Sequence, residues 1–165
     1  MTKKTYKGIQ IRATNHTHVT RESDPDDRWS GEDTSTDWYI RSIQGSNKDV
    51  ELPARFELQE GKTYYLVYGI YSTGDSFSRQ DRGCIEYVDI YKSAKSAQKA
   101  VAQLQTHYDL AKGWKWGDSK EKKPAKFNEF SVDIVGGDGK NFTFSVPWTG
   151  YFECLDSLDV HAFVL

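Results

Sequence analysis

The chain has few cysteines, little net charge and no long apolar run, and each shortage removes a class of protein. Two cysteines, Cys84 and Cys154, in 165 residues are too few for a secreted disulfide framework, and nothing in their spacing pairs them. Reduced, buried thiols are the expectation. No window approaches the roughly eighteen apolar residues of a membrane helix. The segment Met1-Thr2-Lys3-Lys4-Thr5-Tyr6 lacks the apolar stretch of a secretory leader, so a cytoplasmic protein with no membrane partner is expected. The sequons at Asn15 and Asn141 then carry no weight. A formal charge of -2 excludes a uniformly basic nucleic-acid binder and is too small for an acidic mimic of DNA. There is no internal repeat and no low-complexity tract.

Aromatic residues are plentiful: they make up 14% of the chain, against 37% for all hydrophobic residues. Each buried ring removes about 150 to 250 Å² from water, so the core is expected to be aromatic-rich. The length suits one domain, residues 1–165, able to bury about 70% of the surface its unfolded chain exposes.

Alternation marks the strands. Tyr6 to Ala13 reads as a half-buried strand, Asp37 to Ile43 as another, and Val50, Leu52, Ala54, Phe56 and Leu58 as a third. Pro53 cannot donate to a ladder, so this third strand is predicted at a sheet edge. Tyr64–Tyr71 and Cys84–Tyr91 form a hairpin around Gly74-Asp75-Ser76. Phe130–Ile134 and Phe142–Val146 form a second around Gly136-Gly137-Asp138-Gly139, and Leu158–Val164 is a last paired strand. Ser93 is placed to cap a helix whose buried face is Ala97, Ala100, Val101, Leu104 and Tyr108, with Gly113 helping to end it. The fold class is α+β: a largely antiparallel sheet of about seven strands, with one long helix packed on one face.

The candidate catalytic groups lack companions. Gly74-Asp75-Ser76-Phe77 resembles the first block of the GDS-type serine esterases, but Asp159-Val160-His161 has the wrong spacing for that family's acid and base. A serine without a held base is a weak nucleophile. His16-Thr17-His18 presents two imidazoles on one side of an extended chain, and resembles half of a two-histidine phosphoesterase, but the second copy is missing. No third metal ligand is identified, although Asp24 and Asp26 follow closely in sequence. Neither cysteine has a histidine signature beside it. No catalytic residue, metal or cofactor is assigned.

Two segments of opposite charge remain. Residues 22–37 form an acidic loop in which Asp24, Asp26, Asp27, Glu32 and Asp33 surround Trp29 and precede Trp38. Carboxylates there can steer a basic partner while the indoles anchor it. Residues 112–126 form a basic aromatic loop, in which Lys112, Lys115, Lys122 and Lys123 can hold phosphate while Trp114 and Trp116 stack on bases. Such stacking is worth about 1 to 3 kcal/mol per base.

Tyr71-Ser72-Thr73-Gly74-Asp75-Ser76-Phe77, with Val88-Asp89-Ile90-Tyr91 and the helix beyond, and Trp148-Thr149-Gly150-Tyr151-Phe152-Glu153 near the end, resemble small bacteriophage proteins with a GDSF hairpin and a late GYFE element. The resemblance covers about half of the chain and implies no active site. It implies a phage accessory protein acting in the host cytoplasm, often an inhibitor of host defence such as CRISPR immunity. The reading adopted is a non-enzymatic inhibitor or modulator that contacts a host protein, a nuclease or immune effector, through the acidic segment. The alternative is a nucleotide-binding or nucleotide-sequestering protein, or a phosphodiesterase, using the 112–126 segment with His16 and His18.

Overall fold

Strand β4 (Thr63–Gly74) is apolar on both faces, and this decides the architecture. A strand buried on one side alternates apolar and polar residues; one covered on both reads as a continuous apolar run, as Tyr64-Tyr65-Leu66-Val67-Tyr68 does. The computed structural model describes residues 2–22, 25–26, 33–43, 50–74, 80–116, 124–150 and 152–165. In it β4 is the middle strand of a sheet, flanked by β5 (Gln80–Tyr91) and β8 (Cys154–Val164), both antiparallel to it. Tyr64 and Leu66 enter one core, and Val67 enters the other with Tyr65 packed against it.

The first core lies against a second three-stranded sheet. There β1 (Thr5–Arg21) runs between β2 (Asp33–Ile43) and β3 (Val50–Gln59). Ile9, Ile11 and Leu58 project from it onto Tyr64, Leu66, Ile90 and Phe163. β3 is an edge strand, as Pro53 requires. The second core is closed by the helix α1 (Ala94–Trp116) and the hairpin of β6 (Ser131–Val135) and β7 (Asn141–Ser145). Ala97, Ala100 and Leu104 of α1 meet Val67, Val88, Tyr91, Ile134, Phe144 and the fully buried Trp148.

The order of layers is therefore sheet, central sheet, then helix with hairpin. This corrects the expectation of a single sheet of about seven strands: the described residues form three sheets of three, three and two strands. Alternation identifies strands but does not say which of them pair, and the two-faced burial of β4 was the sign that a further layer covers it.

Several boundaries also move. The predicted first strand ends at Ala13, whereas β1 continues to Arg21, with Thr14 through Val19 paired to β2. That extension is polar and exposed, so backbone pairing holds it with no apolar signature. Correspondingly, Asp33 to Asp37 of the supposed acidic loop belong to β2. α1 passes through Gly113 to Trp116, so Lys112 through Trp116 of the supposed basic loop are helical. At its start the expectation holds: Ser93 Oγ accepts the Ser96 N–H at 3.2 Å.

Candidate functional site

A glycine brings the outer and central sheets together. Gly83 of β5 has φ 77, and a Cβ there would strike the Thr36 carbonyl oxygen and the Trp38 ring. Only a residue without a side chain lets β2 pass so close. The approach places Ser35, Thr36 and Asp37 of β2 opposite Ser72 and Thr73 of β4, Arg82 of β5, Cys154 and Asp156 at the start of β8, and Phe152 just before it. Together they line a polar cleft of about 490 Å³, within the usual range of about 300–1,000 Å³ for ligand sites.

The cleft holds two carboxylates against one guanidinium among its described lining residues. Ser72 Oγ donates to Asp156 Oδ2 at 2.6 Å, which fixes that carboxylate. Asp37 stands at the rim, with its Oδ2 3.9 Å from His18 Nδ1; both side chains are about half exposed, at 52% and 45%. Such a long, solvated pair contributes little. His16 is the register partner of Asp37, and its ring centroid lies 6.1 Å from that of His18. The two histidines thus share one side of the β1–β2 ribbon, as alternate strand residues should. Among the described residues no three histidine, cysteine or acidic groups come together as a metal site.

The local field is negative. Burial pushes the Cys84 thiol above its ordinary value, and the charges of Asp81 and Asp156 add to this. A thiol held protonated is a poor nucleophile. Tyr108, whose hydroxyl lies 3.2 Å from Cys154 Sγ, is pushed up to about 12, first by burial and then by Cys154.

The sequence-derived candidates distribute unevenly. Asp24, Asp27, Trp29, Glu32, Lys122, Lys123 and the supposed nucleophile Ser76 lie outside the described residues. Asp26 is exposed, and the Asp33 backbone opens β2 opposite Arg21. Trp38 is half-buried against Gly83, with its Nε1 buried and without a partner among the described residues. Lys112 is exposed on α1, and Trp114, Lys115 and Trp116 occupy its last turn. Asp159 accepts the Ser157 hydroxyl at 3.0 Å, and it pairs across β8 and β4 with Tyr68 as His161 pairs with Leu66, away from the cleft lining.

Residue reasoning missed Asp156, Arg82 and Ser72. Each sits near a strand end, Arg82 and Asp156 in no motif and Ser72 in one that implies no active site, and only the close approach at Gly83 groups them with Asp37. Comparison with protein-family models, with curated proteins and with solved structures brought no match, so the site is judged by its geometry.

Proposed function

We propose that the protein is a non-enzymatic binding protein that recognises a basic segment of a partner protein at the cleft between β2 and the central sheet. The observation supporting this is the lining itself: among the described residues, Asp37 and Asp156 share the cleft with hydroxyls, an exposed aromatic ring and one guanidinium, Arg82. Carboxylates and hydroxyls suit lysine and arginine side chains. In sequence, Glu22, Asp24, Asp26, Asp27 and Glu32 precede the strand that delivers Asp37. Inhibition of a host defence factor is the context favoured by the phage-like Tyr71–Phe77 and Trp148–Glu153 segments alone.

Calorimetric titration with a lysine- and arginine-rich peptide, a glutamate-rich peptide of equal length and a mononucleotide tests this reading. Only the basic peptide is expected to bind. Asp37→Asn combined with Asp156→Asn should weaken it at least tenfold, about 1.4 kcal/mol, at an unchanged melting temperature. Raising salt from about 0.05 M to about 0.5 M should weaken it as well, because screening then acts within a few ångströms. Equal binding of the acidic peptide, or undiminished binding by the double variant, would remove the cleft as the interface.

A further inference from the structure

Among the described residues no third strand pairs with the β6–β7 hairpin, and the outer edge of β6 borders a groove. Gly136 N–H bonds to the Lys140 carbonyl at 2.8 Å and Val146 N–H to the Phe130 carbonyl at 2.9 Å. With the register Ser131↔Ser145 to Val135↔Asn141, these bonds put the even residues of β6 in the hydrogen-bonded pairs. The N–H and C=O groups of Ser131, Asp133 and Val135 therefore point away from β7.

Val135 is satisfied at both groups: its N–H reaches Gln103 Oε1 of α1 at 3.2 Å, and Tyr91 donates its hydroxyl to the Val135 carbonyl at 2.8 Å. The backbones of Ser131 and Asp133 have no such partner among the described residues. Beside them, between α1 and β6, lies a groove of about 430 Å³ bordered by Ala102, Thr106 and Leu110 on one side and by Phe127 and Val132 on the other. It shares no lining residue with the polar cleft. His107, only 6% exposed, also lines it. Its Nε2 lies 2.6 Å from the Asn128 carbonyl, which can only accept, so Nε2 carries hydrogen and the buried Nδ1 is left without a partner among the described residues.

We propose that this groove takes an extended segment of a partner protein, which adds to β6 as a third strand of the hairpin sheet. Directional backbone groups along one wall call for another backbone, since an apolar ligand or a packed helix would leave Ser131 and Asp133 unpaired. The opposite wall calls for apolar side chains at every second position. From Lys99 to Leu110 the helix takes eleven steps, about 16 Å at 1.5 Å each, room for about five residues of strand at about 3.3 Å each. Lys99 lines the amino-terminal end of the helix wall, and the one carboxylate of the described lining, Asp133, already accepts the Thr143 hydroxyl at 2.6 Å, so the segment carries a carboxylate at the Lys99 end. The ligand is thus of opposite charge to the one the cleft recognises.

The probe is a synthetic peptide of two aspartates followed by alternating valine and threonine. Its twin is N-methylated on the amides of the pairing edge. Fluorescence anisotropy should show binding by the first and at least tenfold weaker binding by the twin. Bound peptide should slow exchange of the Asp133 amide at least tenfold. Ala102→Glu, an exposed helix position, should abolish binding without lowering the melting temperature. Equal affinity of the methylated twin overturns strand addition, as does an Asp133 amide unaffected by saturating peptide. No binding at millimolar peptide, or an Asp133 amide already protected in the free protein, overturns the free edge itself.

Discussion

At the scale of single residues, Asp89 is a carboxylate buried at the junction of three elements. It is 3% exposed, accepts the Gly137 N–H at 2.8 Å and lies 3.3 Å from Arg55 Nε, whose guanidinium sits over the Phe142 ring at 3.6 Å. One carboxylate thus ties the outer sheet, the central sheet and the hairpin together. Burial nevertheless pushes its pKa above the ordinary 3.8, and Gly137, the Ile90 backbone and Arg55 offset this only in part. A folded-state value above the unfolded one means that folding favours the protonated form. Its contribution is full below about 3.8 and is lost as pH rises through the raised folded value. Asp89→Asn keeps an acceptor for Gly137 and removes the titration. Urea unfolding of both proteins from about pH 3.5 to about pH 7 should show the wild-type advantage over the variant shrinking as pH rises. A widening advantage would mean that the Arg55 ion pair outweighs the burial of charge.

Among the elements, β4 and the connection from β7 to β8 are fitted to each other through Gly69 and Trp148. A Cβ on Gly69 would lie 2.6 Å from the indole Cζ3, and Trp148 is fully buried between Tyr71 and Phe144. Gly69→Ala overpacks this contact, an effect of about 1–3 kcal/mol. For a chain of this size each kcal/mol is worth about 2–4 °C, so thermal unfolding should show a drop of several degrees; an unchanged midpoint would mean that the indole moves aside freely. This pairing was not legible in the sequence, because it joins residues far apart in the chain and Gly69 read only as part of a strand. α1 was legible: the spacing of Ala97, Ala100, Val101, Leu104 and Tyr108 names the buried face, and Ser93 names the cap. Its far end was not, since Gly113 meets nothing that a side chain would strike and continues the helix. Both hairpins were legible, the first from two apolar runs and the second from alternation, each interrupted by glycine. The polar half of β1 was invisible because its residues bury no face.

For the molecule as a whole, β4 gives one face to each of two cores. That stacking could be inferred only weakly from the apolar run at Tyr64–Tyr68, and strand order not at all, because pairing partners are chosen in three dimensions. The candidate cleft has the same origin. Asp37, Ser72, Arg82 and Asp156 come from four strands and share no motif, whereas the charged segments that the sequence displays most openly are contiguous stretches of chain. No helix among the described residues is long and apolar enough to cross a membrane. Charge is arranged locally: Asp37 and Asp156 at the cleft, Lys95, Lys99 and Lys112 along α1.

The most direct test is amide chemical-shift mapping of the isotope-labelled protein during titration with the lysine- and arginine-rich peptide. The expected result is one contiguous set of shifts covering Ser35–Asp37, Ser72–Thr73, Arg82–Gly83 and Asp156, absent in the variant carrying Asp37→Asn and Asp156→Asn. Shifts confined to Lys112–Trp116, or scattered over the surface with no cluster at the cleft, would contradict recognition at this site.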